Sequence, residues 1–183
     1  MIKKMIIFFL KKISPIFFDK RYLCGKFFVK SNIGIIWVVR SIFYQKILGF
    51  NRGIPWMVSP FIKITNYKNV IFHPDNIDIF QRNGLYFQST YAKIYLCKGV
   101  QIAPNVGIIT SNHDIRNLDK RSKVKNVVIG SNSWIGMNTV VLPGVKLGPH
   151  TVVGANSVVT KSFREGYVVI AGNPAKVIKR IEI

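Results

Sequence analysis

From Ile129 onward an aliphatic residue returns at every sixth position: Ile129, Ile135, Val141, Leu147, Val153 and Val159. The residue after each is Gly130, Gly136, Leu142, Gly148, Gly154 and Thr160. Four places on stand Ser133, Thr139, Val145, Thr151 and Ser157, all small or β-branched, until Phe163 breaks the run. Leu96, Ile102 and Ile108 continue the phase upstream, with Val100 and Val106 four places on. A helix repeats every 3.6 residues and a strand every two. A strict six is two strand periods plus a corner. Three short strands and three corners make one turn of a coil of about 18 residues, in which each face sends one aliphatic side chain inward. No turn buries its aliphatics alone, so the turns must stack and hydrogen-bond to one another. Glycine after the inward residue relieves crowding at the bend, and Pro104 and Pro143 fall at corners, where a missing donor costs least.

Outside the repeat the pattern changes. Residues 61–95 alternate like strands without a regular phase. Between Thr110 and Asn126 the repeat stops in a segment containing Asp114, Arg116, Asp119, Lys120, Arg121, Lys123 and Lys125, which reads as a protruding loop over about 111–126. The final stretch SFREGYVVIAGNPAKVIKRIEI drops the repeat and closes the chain. Near the start, Ile6, Phe9, Leu10, Ile13 and Phe17 share one helical face, and Lys4, Lys11 and Lys12 cluster on another. Gly and two prolines in GIPWMVSP mark a boundary. The expected division is a basic-aromatic helical extension over 1–52 and a coiled β domain over 53–183.

Composition sharpens this picture. The net charge is +20, which predicts an anionic partner: nucleic acid, a membrane surface or phosphorylated ligands. Residues 1–60 hold eleven Lys and Arg against one acid, Asp19. No helix-turn-helix, zinc-finger or aromatic RNA-binding pattern is present, so no nucleic-acid partner is expected. The apolar run Met5–Leu10 ends in Lys11-Lys12 without a small-residue cleavage site, unlike a secretory signal. Neither it nor the later run cut by Lys30, Arg40 and Lys46 is a clean span of roughly 20 apolar residues. Two readings of residues 1–50 stand: a helix lying in a membrane interface, or a helix packed on its own domain or on a neighbouring subunit. Two cysteines, Cys24 and Cys97, make no disulfide framework.

The stretch IGSNSWIGMNTVVLPGVKLGPHTVVGANSVVTK, followed by AGNPAKVIKRI, resembles the hexapeptide-repeat acyltransferases. It is most similar to the bacterial sugar O-acetyltransferases of the maltose, galactoside and exopolysaccharide branch. The likeness covers about residues 53–181, and GIPWMVSP looks like a lead-in seen in polysaccharide-modifying members. The resemblance implies a mainly β fold, a left-handed parallel β-helix. It implies a homotrimer with active sites between subunits, acetyl-CoA as donor and no metal. It also implies a sugar or lipid-linked oligosaccharide acceptor in the bacterial cytoplasm, and the basic, aromatic residues 1–50 would make the enzyme peripheral to the inner membrane.

Acyl transfer from a thioester to a hydroxyl needs a base near neutral pH, and imidazole suits it. Of His73, His113 and His150, only His113, in IITSNHDI, stands where the wall gives way to the loop, and the resemblance assigns it that role. Asp114 either orients the His113 ring or salt-bridges within the basic loop. Asn83 matches an acceptor-contacting position in the family, and Asn-Gly is equally a turn pair. Trp134 precedes an inward Ile135 and so points outward, bordering the CoA tunnel of the family or packing on a neighbouring subunit. The pantetheine arm is expected along Gly136, Gly154, Ala155 and Thr160. Lys161, Lys176 and Lys179 are placed for the phosphates, and a backbone N–H near Gly136–Met137 for the oxyanion. A serine acetyltransferase-like enzyme and a non-catalytic trimeric scaffold at a membrane are the alternatives.

Overall fold

The computed structural model describes residues 2–121 and 124–182. The six-residue phase closes into a three-faced coil of parallel strands. The first face stacks β1 (Lys63–Ile64), β3 (Tyr86–Gln88), β6 (Gly107–Ile109), β11 (Val140–Val141) and β14 (Val158–Val159). The second stacks β2 (Val70–Phe72), β4 (Ile94–Leu96), β9 (Val127–Ile129) and β12 (Lys146–Leu147). The third stacks β5 (Gln101–Ile102), β10 (Trp134–Ile135), β13 (Thr151–Val153) and β15 (Val168–Gly172). This is a left-handed parallel β-helix, against the usual right-handed crossover.

The register lays like on like. Phe87, Ile108, Val141 and Val159 are successive partners on the first face. Phe72, Leu96, Ile129 and Leu147 follow on the second, and Ile102, Ile135, Val153 and Ile170 on the third. Apart from half-buried Phe72, every one is buried. The small residues four places on are buried too, and their hydroxyls tie turn to turn: Ser133 Oγ donates to the Gly148 carbonyl and Thr139 Oγ1 to that of Gly154.

The corners carry a signature of their own. Asn105, Asn138 and Asn156 lie above one another where the third face turns into the first, all at φ near +59°. Asn132 and His150 do the same between the second and third faces. Each stands three places after an inward aliphatic, so the fourth place of the repeat is left-handed and selects Asn, Gly or, once, His. Gly130 and Gly136 are fixed by crowding instead: a Cβ on Gly136 would stand 2.6 Å from the Ala155 nitrogen of the next turn.

The chain departs from strict phase at its end. Phe163 does not break the stack. It is buried and bridges in parallel to Leu147, taking the inward place two residues early. The repeat is not dropped after it either, since β15 pairs in parallel with β13 through Val152–Val169. Only β16 (Ala175–Arg180) reverses, running antiparallel to β15.

The N-terminal segment is helical: α1 (Ile2–Phe17), α2 (Lys26–Val29) and α3 (Ile33–Ser41), the last continued by a π-helical turn over Ile42–Ile47. These helices pack on the first turn of the coil, with Phe18, Phe28, Ile35, Trp37 and Val38 in one apolar cluster with the coil residues. Gln45, fully buried, pins the junction: its amide nitrogen donates to the Ile54 and Trp56 carbonyls and its oxygen accepts from Val58 N–H. The expected apolar face of α1 is divided. Leu10 and Phe17 pack inward with Ile7, whereas Ile6 and Phe9 are exposed. The helix is apolar on more than one side, and α3 covers only one of them.

Candidate active site

The segment expected as a loop is a hairpin that springs from the corner between the first and second faces. Its strands are β7 (His113–Asp114) and β8 (Asn117–Arg121), paired antiparallel. Its root is fastened to the coil by Gln88. The Gln88 Oε1 accepts from the backbone N–H groups of Thr110 and Ser111 at 2.9 and 3.1 Å, and its Nε2 donates to Ser111 Oγ at 2.7 Å. Arg121 lies over the Tyr91 ring, 4.5 Å from its centroid. Of the basic residues expected in this segment, Lys123 lies outside the described residues.

His113 stands exposed at the start of the hairpin, with Nδ1 2.7 Å from the Leu118 carbonyl oxygen. A carbonyl can only accept, so Nδ1 carries the proton and donates, and the lone pair is on Nε2. A neutral imidazole held in one tautomer is the form a general base needs, and among the described residues Nε2 has no hydrogen-bond partner. The carboxylate of Asp114 is occupied elsewhere: its Oδ1 accepts from the Arg116 backbone N–H at 2.8 Å and closes the hairpin turn. A shallow depression of about 340 Å³ lies beside the ring, walled by Asn112, Asp114, Ile115 and Arg116.

The remaining candidates fall at two corners of the coil and on its third face. Thr160 and Lys161 share the hairpin's corner, two turns further along, both exposed. Asn83, Gly136, Met137, Gly154 and Ala155 lie at the corner between the third and first faces. There Asn83 Oδ1 accepts from Ser59 Oγ at 3.2 Å, and Gly84, at φ +75°, completes the turn. Gly136 and Gly154 are held small by the turn stacked on each of them, whatever else approaches. The Gly136 N–H donates to the Val153 carbonyl at 2.8 Å, which commits it to the ladder and leaves Met137 as the oxyanion candidate of that pair. Trp134 is 55% exposed on the third face. Its register line continues outward through Val152, Val169 and Lys179, so the indole and the ammonium share one outward stripe. Lys176, exposed, sits on the same strand opposite Ala171.

Within one chain the two corners do not meet: His113 is at one edge of the first face and Asn83 at the other. The other histidines have structural partners. His73 Nδ1 accepts from Asp75 N–H, and His150 stacks on Tyr167 at 4.8 Å. Gln88 and the Leu118 carbonyl were not anticipated. Gln88 shows in sequence only as an outward polar residue of a short strand, and a backbone carbonyl leaves no signal at all.

Residues 126–161 match the family described as bacterial transferase hexapeptide (six repeats). With the parallel stacking of the strands, this makes the coil a left-handed β-helix of hexapeptide repeats. More particularly it resembles the sugar O-acetyltransferases. The Clostridium difficile 630 maltose O-acetyltransferase structure is 32% identical, with TM-score 0.55, covering 67% of this chain and 64% of that one. A galactoside acetyltransferase in complex with coenzyme A is 30% identical, with TM-score 0.60, covering 69% and 62%. The Escherichia coli K12 protein WbbJ, provisionally named a lipopolysaccharide biosynthesis O-acetyl transferase, is 36% identical over 129 residues, 62% of either chain. The chain spans about half the length of the first curated relatives it matches.

Proposed function

We propose that the protein is an acetyl-CoA-dependent O-acetyltransferase acting on a sugar hydroxyl of a surface polysaccharide or of its lipid-linked precursor. It works as a homotrimer in the bacterial cytoplasm, at the inner face of the membrane. The observation that carries the reading is the His113–Leu118 hydrogen bond, which keeps the proton on Nδ1 and the lone pair on Nε2. The likeness to sugar acetyltransferases, one of them in complex with coenzyme A, supports the donor and the acceptor class, and that to WbbJ supports a polysaccharide setting.

His113 Nε2 takes the proton of the attacking hydroxyl and returns it to the departing sulfur, so acid and base are one residue. Acetyl-CoA supplies the activated acyl group. Lys161, Lys176 and Lys179 offer charge to its phosphates, Trp134 an aromatic wall, and Met137 N–H a donor for the developing oxyanion. Because Asn83 and His113 stand at opposite edges of one face, a site that uses both draws them from two copies, which favours the trimer.

His113→Ala tests the reading. The residue is exposed and outside the aliphatic stack, so the oligomer and its affinity for CoA should be unchanged. Transfer should fall by at least ~10²-fold. Near-parental acetylation by the folded variant would remove the base and the mechanism with it.

A further inference from the structure

The first sixty residues leave a large apolar surface open. Ile33, Ile36, Phe43 and Ile47 recur at helical spacing along α3 and the π-helical turn, and all are exposed. They form a stripe of roughly 20 Å at the rise of a helix. Beside it, α1 presents Met5, Phe8 and Phe9, also exposed. Between the two helices runs a groove of about 1000 Å³ walled by Ile6, Leu10, Ile33, Ile36 and Val39, with Arg40 at its rim. A patch of this size marks a contact surface.

Charge identifies what covers it. Lys4 and Lys12 on α1 and Arg40 on α3 are exposed beside it. The sole acid among the first sixty residues, Asp19, is already held by Arg21 at 2.7 Å. A second copy laid on this face brings cation against cation, whereas an anionic surface matches it. Among the described residues no helix is long and apolar enough to cross a membrane. We infer that this face docks on an anionic lipid bilayer, with α1 and α3 lying in the headgroup layer and the groove between them seating a hydrocarbon chain. The anchorage is firm, because Gln45 and the apolar cluster fix these helices to the first turn of the coil. The hairpin bearing His113 leaves the third turn, two strand spacings further on, or roughly 10 Å.

The inference does not depend on acetyl transfer, and its test needs no acceptor. The protein is floated with vesicles of phosphatidylglycerol and phosphatidylethanolamine, and separately of phosphatidylcholine. It should rise with the first and not with the second, and high salt should weaken it. Replacing Lys4 and Lys12 by Gln together should weaken binding roughly twenty-five-fold, at about fivefold per charge. Ile36→Asp with Phe8→Asp should abolish it, while Ile178→Asp, at the far end of the coil, should leave it intact. Light scattering on each variant reads the oligomer. Protein that never floats with anionic vesicles overturns the inference. So does a double variant that floats like the parent, or one whose oligomer falls apart, since either result makes the face something other than a lipid contact.

Discussion

The Nδ1 of His113 and the carbonyl oxygen of Leu118 stand 2.7 Å apart across a two-stranded hairpin. The backbone thus sets the tautomer of the proposed base. Many histidine bases are oriented by a carboxylate. Here the hairpin fold itself does it, so geometry at the turn controls chemistry at the ring.

Asp114 then acts through the turn. Asp114→Asn keeps an oxygen to accept from Arg116 N–H and should retain most activity. Asp114→Ala frees the turn and should lower kcat by about tenfold, within the range for a misplaced catalytic group. Steady-state rates of the pair decide it. If Asn lost as much as Ala, or several thousandfold, the carboxylate charge would be serving the ring directly.

Gln88 is predicted to be a positioning residue. Gln88→Ala removes the acceptor for Ser111 N–H and the donor to its hydroxyl. The hairpin root should loosen at a cost of about 1–3 kcal/mol in stability. Transfer kinetics should show kcat lowered with KM for the thioester nearly constant. A change confined to KM would place Gln88 in donor binding instead.

The stack has a direct test. Ile135 is fully buried and Lys146 is exposed one place before the inward Leu147. Ile135→Asp buries an unpaired charge, which is too costly to hold, so the protein should aggregate or fail to fold. Lys146→Asp should fold normally. Chromatography and thermal unfolding of both variants read the difference, and equal outcomes contradict the register.

The attachment of α2 should weaken in acid. Asp75 Oδ1 accepts from the Lys26 backbone N–H at 2.8 Å, and this bond holds its carboxyl below the ordinary value of 3.8. A group with a depressed folded pKa contributes above its unfolded pKa, and that contribution is lost as pH falls through the folded one. Protease sensitivity of the N-terminal helices should therefore rise below about pH 3.8. Asp75→Ala, which removes the acceptor, should already be more sensitive near neutrality and change little across that window. A parent protein whose sensitivity is flat with pH would show that Asp75 does not fasten α2.

How much of this was legible beforehand depended on whether side-chain identity or backbone path carried the information. The inward aliphatics, Leu96 to Val159, were readable because burial selects them one by one. The left-handed places at Asn105, Asn132, Asn138 and Asn156 were equally readable, since they recur in phase, but a search for apolar period passes over them. Phe163 misled because a large residue stood where small ones had been. The structure fits it by shortening the turn, a backbone event with no sequence mark. The division of the α1 face arose from α3, whose docking side no periodicity in α1 encodes. His113 was visible as a lone histidine at the end of the repeat. Its tether to Leu118 was not, because any residue supplies a carbonyl.

The reversal of β16 governs how the molecule ends. A parallel coil presents at its last turn the same row of donors and acceptors that every earlier turn offered, so an open end is a template on which another molecule can continue the winding. By folding back on β15 in the opposite sense, Ala175–Arg180 takes up that row on the third face. The new border runs the wrong way for a further parallel turn and carries Lys176, Lys179 and Arg180, all exposed. Shortening the chain before Ala175 would leave that row open on the third face as well.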